Sequence, residues 1–147
     1  MEDVLELVSQ QRLVTITGAG ASGKSRLALE VARRIASADP GTVRWVELAP
    51  LGRGDLLAQH IATQLRVHET PDHSALESLL EALQPPIRFV VLDNCEHVIE
   101  ESAKLVELLL KHCAHIRVLA TSRESLGIDG ERVWLLGGLA LESTGEG

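Results

Sequence analysis

The chain has 147 residues, 45% of them hydrophobic and 24% charged, and its 14 Lys and Arg against 21 Asp and Glu leave a formal net charge of −7. That length gives about one domain with room for a real core, and the acidity argues against a domain that binds nucleic acid by itself. Trp45, Phe89 and Trp134 are the whole aromatic complement, so there are no stacking platforms for single strands either. No apolar run approaches the ~18 residues of a membrane span. The start is too acidic and mixed for a secretion signal, and Cys95 and Cys113 form no C-x-x-C pair, so a reducing, cytoplasmic location is expected.

Taken in order, residues 1–11 carry Val4, Leu5, Leu7 and Val8 at helical spacing with acids in the first turn, which predicts a short leading helix. Residues 12–17 are expected as the first strand, carrying the apolar β-type run Leu13-Val14-Thr15-Ile16-Thr17. Gly18-Ala19-Gly20-Ala21-Ser22-Gly23-Lys24-Ser25 then fits G-x-x-x-x-G-K-[ST], the phosphate-binding P-loop. Its glycines let the backbone turn tightly and bring N–H groups up to phosphate oxygens. A helix N-terminus behind the loop adds unpaired donors and partial positive charge. Lys24 is placed to reach the β- and γ-phosphates, and the Ser25 hydroxyl to ligate Mg²⁺. Residues 25–37 follow as a helix with Leu27, Ala28, Val31, Ala32 and Ile35 on one face and Arg26, Glu30, Arg33 and Arg34 off it.

Residues 42–48 read as a second strand, and the charges at Arg44 and Glu47 suggest that it is partly exposed at a sheet edge. Asp55 can cap a helix reaching residue 66. Ser74-Ala75-Leu76-Glu77 is a capping box that opens a helix with Leu76, Leu79, Leu80 and Leu83 in one stripe. Residues 87–92 are an apolar run broken only by Arg88, as suits a strand buried on both faces of a parallel sheet, and Asp93 follows at its C-terminal end. A long helix is expected over 96–113, a fourth strand over 116–120 leading into Thr121-Ser122-Arg123, and a fifth over 132–136. Strands alternating with helices predict a three-layer α/β domain with a mostly parallel sheet.

Ligands of such sheets bind beyond the carboxyl ends of the strands. Four apolar residues and Asp93 make a Walker-B element, a carboxylate at the end of a dry strand that holds the Mg²⁺ shell. A hydroxyl or the guanidinium of Thr121-Ser122-Arg123 can face the γ-phosphate. His112-Cys113-Ala114-His115 is the densest metal-like group, but its ligand atoms would not converge from a helix end, where His is favoured by the dipole. His97 and Cys95 stand near the expected site without a defined role.

GAGASGKSRLALEVA, FVVLDNCEH and VLATSRESLGIDGERVW, together with WVELAPL, resemble the NB-ARC-like nucleotide-binding domain of bacterial STAND signalling ATPases, as in LuxR-type and AfsR/SARP-type transcriptional regulators. The resemblance runs from about Arg12 to Leu136. It implies an ASCE-type P-loop NTPase core with five strands ordered 5-1-4-3-2, and ATP/ADP binding with slow hydrolysis as a nucleotide-dependent switch. By motif it assigns residues 18–25 with the adjoining Arg26 to nucleotide, Ser25 and Asp93 to Mg²⁺, and Arg123 to the sensor-1 position. It further implies helical lid and winged-helix domains that are not in this chain, an adenine-seating segment before the leading helix, and ATP-dependent self-association of a full-length protein. Residues 1–137 are then the nucleotide-binding domain, and 138–147 a tail or a linker to further domains. The chain departs from the pattern at Asn94, where many relatives carry a second acid. An amide cannot take a proton from water at neutral pH, and Glu96 is the nearest acidic alternative. Weighed against the switch are an autonomous P-loop ATPase or kinase, and an interaction module with a vestigial nucleotide site.

Overall fold

The computed structural model describes residues 2–18, 22–50, 57–67, 72–136 and 139–141. The elements run α1 (Glu2–Gln10), β1 (Leu13–Thr17), α2 (Ser22–Ala38), β2 (Val43–Glu47), α3 (Leu57–Gln64), α4 (Ala75–Ala82), β3 (Phe89–Asp93), α5 (Ile99–His112), β4 (Arg117–Thr121), β5 (Glu131–Leu135) and β6 (Leu139–Leu141). The sheet order is β2-β3-β4-β1-β5-β6. Strands β1 to β5 are parallel neighbours in the expected order, with β4 between the P-loop strand and the strand ending in Asp93. β2 lies at the edge that its charges suggested.

The apolar runs make sense against two cores. In β3, alternate side chains point to opposite faces. Phe89 and Val91 pack with Val4, Val8, Ala28 and Val31 of α1 and α2. Val90 and Leu92 pack with Ile61, Leu79, Leu105 and Leu109 of α3, α4 and α5. All five residues of β3 are buried, as are all five of β1, so both strands are covered on both faces, and their only polar side chains are Thr15 and Thr17 in β1 and Asp93 at the end of β3.

Several boundaries differ from the sequence expectation for local physical reasons. α2 begins at Ser22 rather than Ser25, so Gly23, Lys24 and Ser25 occupy its first turn, where backbone N–H groups lack helical partners. The helix expected over 96–113 is split: a 3₁₀ turn covers Cys95–Val98 and the α-helix starts at Ile99. Asn94 precedes that turn in the left-handed region, φ 66° and ψ 53°, a conformation that Asn tolerates better than most residues. A sixth strand, β6, pairs antiparallel with β5 within the stretch expected to be a tail. The Gly137-Gly138 pair between two apolar runs is the sequence signal for it. The cap expected at Asp55 and the loop residues Ala19, Gly20 and Ala21 lie outside the described residues.

Arginines tie the layers at the end of the sheet opposite Asp93. Arg12 donates to the carbonyls of Leu110 and Cys113, each at 2.9 Å, and so closes the C-terminus of α5 against the start of β1. Arg117 does the same for α1 through the Gln11 carbonyl at 3.0 Å. The capping box is formed: the Glu77 N–H donates to Ser74 Oγ at 3.1 Å, and the Ser74 N–H to Glu77 Oε1 at 2.9 Å. Ser74→Ala should lower stability by about 1 kcal/mol. Urea unfolding checks it, and an unchanged midpoint would show that α4 does not depend on its cap.

Candidate functional site

The C-terminal ends of β1, β2, β3 and β4 come together around Asp93. Lys24, in the first turn of α2, is 2% exposed, and its Nζ donates to the Gly18 carbonyl at 2.7 Å. Ser25 Oγ donates to Asp93, 2.8 Å from Oδ1 and 3.0 Å from Oδ2. Thr121 Oγ1, at the end of β4, donates to Asp93 Oδ1 at 2.6 Å and accepts from the Asn94 N–H at 2.8 Å. Three of the expected site residues, Lys24, Ser25 and Asp93, are therefore fixed at this end of the sheet, and the latter two touch directly.

Leu136, just past β5, lies against Gly18 and Gly23. Its N–H donates to the Thr17 carbonyl at 2.8 Å. A Cβ on Gly23 would come within 2.6 Å of Leu136 Cδ2, and one on Gly18 within 3.3 Å of Leu136 Cβ. Gly18 is also held at φ 148°, so both glycines at the borders of the loop answer to space or backbone angle as well as to phosphate.

The structure adds a carboxylate that the sequence reading took only as a sign of exposure. Glu47, the last residue of β2, stands directly opposite Asp93 in the parallel register. Asn94 Nδ2 bridges the two acids, 2.7 Å from Glu47 Oε2 and 3.2 Å from Asp93 Oδ2. The Ala49 N–H also donates to Glu47 Oε2, at 2.9 Å. Gln64 of α3 grips the Glu47 backbone at both ends, accepting from its N–H at 2.8 Å and donating to its carbonyl at 2.6 Å. Burial, reinforced by the neighbouring Glu47 carboxylate and opposed by the Thr121 and Ser25 hydroxyls, pushes Asp93 up to about 6. Glu47 feels burial too, but hydrogen bonds from Asn94, Asp93 and the Ala49 backbone outweigh it and hold Glu47 below the usual carboxylate range. Of the two acids, Asp93 is therefore the one that takes up a proton first as the pH falls.

Other expected residues make no hydrogen bond to Asp93 among the described residues. Glu96 is in the 3₁₀ turn; its Oε1 is buried without a hydrogen-bond partner and its Oε2 lies 3.8 Å from His97 Nε2. Arg123 is exposed in the loop beyond β4, and Arg26 is exposed on α2. The Arg123 loop is anchored from below by Glu131, which is 1% exposed and accepts from the N–H groups of Leu126 at 2.7 Å and Gly127 at 3.0 Å. Ser22 opens α2, and Ala19, Gly20 and Ala21 are outside the described residues. Cys95 is fully buried and its thiol is pushed up to about 12 by that burial, so it is no nucleophile. His115 Nε2 meets the Leu83 carbonyl at 3.0 Å. No group of three or more His, Cys, Asp and Glu residues among the described residues is arranged to hold a metal ion.

The arrangement fits Mg²⁺ bound with a phosphate-bearing ligand. A hydroxyl and a carboxylate supply hard oxygen donors. The buried Asp93, crowded by a second acid, is the kind of charge that a divalent cation relieves. A protein-only cage is not required, because Mg²⁺ takes most of its remaining ligands from phosphates and water. No helix among the described residues is long and apolar enough to cross a membrane.

Comparison with known proteins follows the same lines. A family model described as "AAA domain" matches residues 6–127. A Mycobacterium bovis protein named "Putative HTH-type transcriptional regulator Mb0914c" is 38% identical over 128 residues, covering 87% of this chain and 14% of the relative. A second M. bovis protein, "Uncharacterized protein Mb0918", is 34% identical over 142 residues, 96% of this chain and 36% of its own length. The chain thus spans about a seventh and about a third of these relatives. Among solved structures, a STAND protein with a tetratricopeptide repeat sensor from Pyrococcus horikoshii matches with TM-score 0.63 at 18% identity, over 95% of this chain and 23% of that one. The ORC2 protein of Aeropyrum pernix, solved as ADPNP and ADP complexes, matches with TM-score 0.61 at 16% identity, over 84% of this chain and 40% of that one. At these identities the likeness is one of fold.

Proposed function

Since the chain belongs to the AAA domain family of P-loop proteins, we propose that it binds ATP and ADP with Mg²⁺ and serves as the nucleotide-dependent switch of a STAND-type transcriptional regulator with slow hydrolysis. The observation that carries this reading is the direct contact between Ser25, in the first turn of α2, and Asp93 at the end of β3, with Lys24 buried beside them. The first-turn N–H groups of α2 and the Lys24 ammonium would hold the phosphates. Ser25 and Asp93 would hold Mg²⁺, which supplies charge neutralisation on the β- and γ-phosphate oxygens when bound. Thr121 fixes the Asp93 carboxylate, and thereby its orientation toward that shell. Arg123, at the sensor-1 position by motif, would reach the γ-phosphate only when its exposed loop turns inward, which is the kind of segment whose order a nucleotide can control.

The regulator part of the proposal draws on the name of the 38%-identical relative, of which this chain is a small portion. The lid and winged-helix domains, the DNA-binding part and ATP-dependent self-association would belong to a longer protein. A cytoplasmic site of action is proposed with them.

Denaturing the purified protein and separating the supernatant by ion-exchange chromatography tests the reading. Retained ADP or ATP, with Mg²⁺-dependent rebinding by calorimetry, is the expected result. Fast hydrolysis without any partner would replace the switch with a turnover enzyme. Absence of both retained nucleotide and rebinding would leave a vestigial site.

A further inference from the structure

We propose that Glu47 is the catalytic carboxylate of this site, orienting the water that attacks the γ-phosphate in place of the acid that position 94 lacks. The inference rests on the nucleotide reading above and assigns the missing role within it.

Three independent features of the molecule converge on Glu47. The first is register. β2 and β3 pair so that Glu47 lies beside Asp93 at the strand ends, on the side of the sheet where the P-loop opens. Glu96, although nearer Asp93 in sequence, is carried into the 3₁₀ turn and makes no hydrogen bond to Asp93, Ser25 or Thr121 among the described residues.

The second is the chemistry of position 94. Asn94 does not substitute for an acid; it holds one. Its left-handed backbone is pinned by Thr121 Oγ1, and its amide donates to Glu47 Oε2 at 2.7 Å. An amide in this place makes a carboxylate on the neighbouring strand usable, whereas a second acid here would repel Glu47.

The third is preorganisation. Gln64 locks the Glu47 backbone through two hydrogen bonds, His60 Nε2 meets the same carbonyl at 2.8 Å, and the Ala49 N–H fixes the side chain. Both bonds from Asn94 and Ala49 end on Oε2, so neither uses Oε1. Glu47 remains partly exposed, so a water can reach its carboxylate. An edge-strand acid that served only solubility would need none of these restraints.

In the reaction, the water oxygen bonds to the γ-phosphorus and the bond from that phosphorus to the bridging oxygen breaks. ADP leaves with the electron pair, and the proton of the water ends on the released phosphate. Glu47 accepts a hydrogen bond from the attacking water and aligns it with the breaking bond.

The test compares wild type with Glu47→Gln, which keeps the size of the side chain. Affinities for Mg-ADP and for Mg-ADP with aluminium fluoride, a mimic of the transferring phosphoryl group with its in-line water, are measured by calorimetry beside single-turnover hydrolysis. The expected result is unchanged Mg-ADP affinity, weakening with aluminium fluoride by about tenfold or more, and hydrolysis slowed roughly 100-fold. Thermal melting of both proteins confirms equal folding. A variant that binds the fluoride complex as wild type does overturns the inference alone, as does a wild type that gains nothing from aluminium fluoride. A shifted Mg²⁺ requirement for ADP also overturns it and makes Glu47 a metal-shell residue instead. A wild type that binds no adenine nucleotide overturns the nucleotide reading, and this inference with it.

Discussion

Lys24→Ala should weaken ATP and ADP binding roughly 100-fold while the domain stays folded. Lys24 is 2% exposed in the first turn of α2, and its Nζ donates to the Gly18 carbonyl at 2.7 Å, so the ammonium is held at the mouth of the P-loop. Charge-assisted hydrogen bonds to phosphate are the strong kind, and the loss of one or two of them costs about 3 kcal/mol, roughly 100-fold in affinity. Lys24→Met is the companion variant, because it keeps an apolar stem and removes only the charge. Calorimetry with Mg-ATP and a nucleotide-dependent thermal shift provide the readouts. Equal affinity in wild type and both variants would show that the loop does not engage phosphate through this residue.

Asp93→Asn should make the nucleotide-free protein more stable at neutral pH and weaken its Mg²⁺-dependent nucleotide affinity. The Asp93 carboxyl is raised from 3.8 to about 6, with burial as the main cause. The folded protein therefore binds this proton more tightly than the unfolded chain does. Its contribution to stability is fully present below pH ~4, falls as pH rises to about 6, and is absent above that, by linkage. Two pH units correspond to ~3 kcal/mol, an upper figure because Glu47 is shifted the opposite way and restores part of it. Asparagine fills the same space without a charge, and the Ser25 and Thr121 hydroxyls can still bond to it. Urea unfolding between pH 4 and 8 should show wild type losing stability across the acid side of that range, with a flatter profile and a higher midpoint near pH 7.5 for the variant. A variant that is less stable than wild type at pH 7.5 would mean that the hydrogen bonds from Ser25, Thr121 and Asn94 to the Asp93 carboxylate outweigh the cost of its burial.

The two expectations concern neighbouring atoms but differ in what made them visible. Lys24 sits in a contiguous motif, so its role follows from spacing alone. Asp93 could be found because an acid ends a dry strand downstream of a P-loop, a signal that is weak without that loop, but its raised affinity for a proton could not, since Glu47 contributes to it from another strand.

The local elements are legible because each is encoded by its own residues. Alternation, helical stripes, the Ser74–Glu77 box and the Gly-Lys-Ser turn act over a few positions through backbone geometry. The resemblance supplied the strand order that those patterns leave open, and the sheet has it. The early start of α2 and the 3₁₀ turn after Asn94 were not legible. Both depend on how the chain leaves a strand end, where neither periodicity applies.

What the sequence determined by itself is thus the set of elements, the P-loop and the acid of β3, because short-range periodicity and motif spacing are properties of contiguous residues. What only the tertiary structure decided is which acid stands beside Asp93. Glu47 and Asn94 are 47 residues apart, and β2 and β3 are joined through two helices. Their side chains meet because the crossover puts β2 next to β3 in a register that aligns the two strand ends. That alignment arises from burial of both sheet faces and backbone pairing along the whole strand, which no stretch of sequence around either residue records.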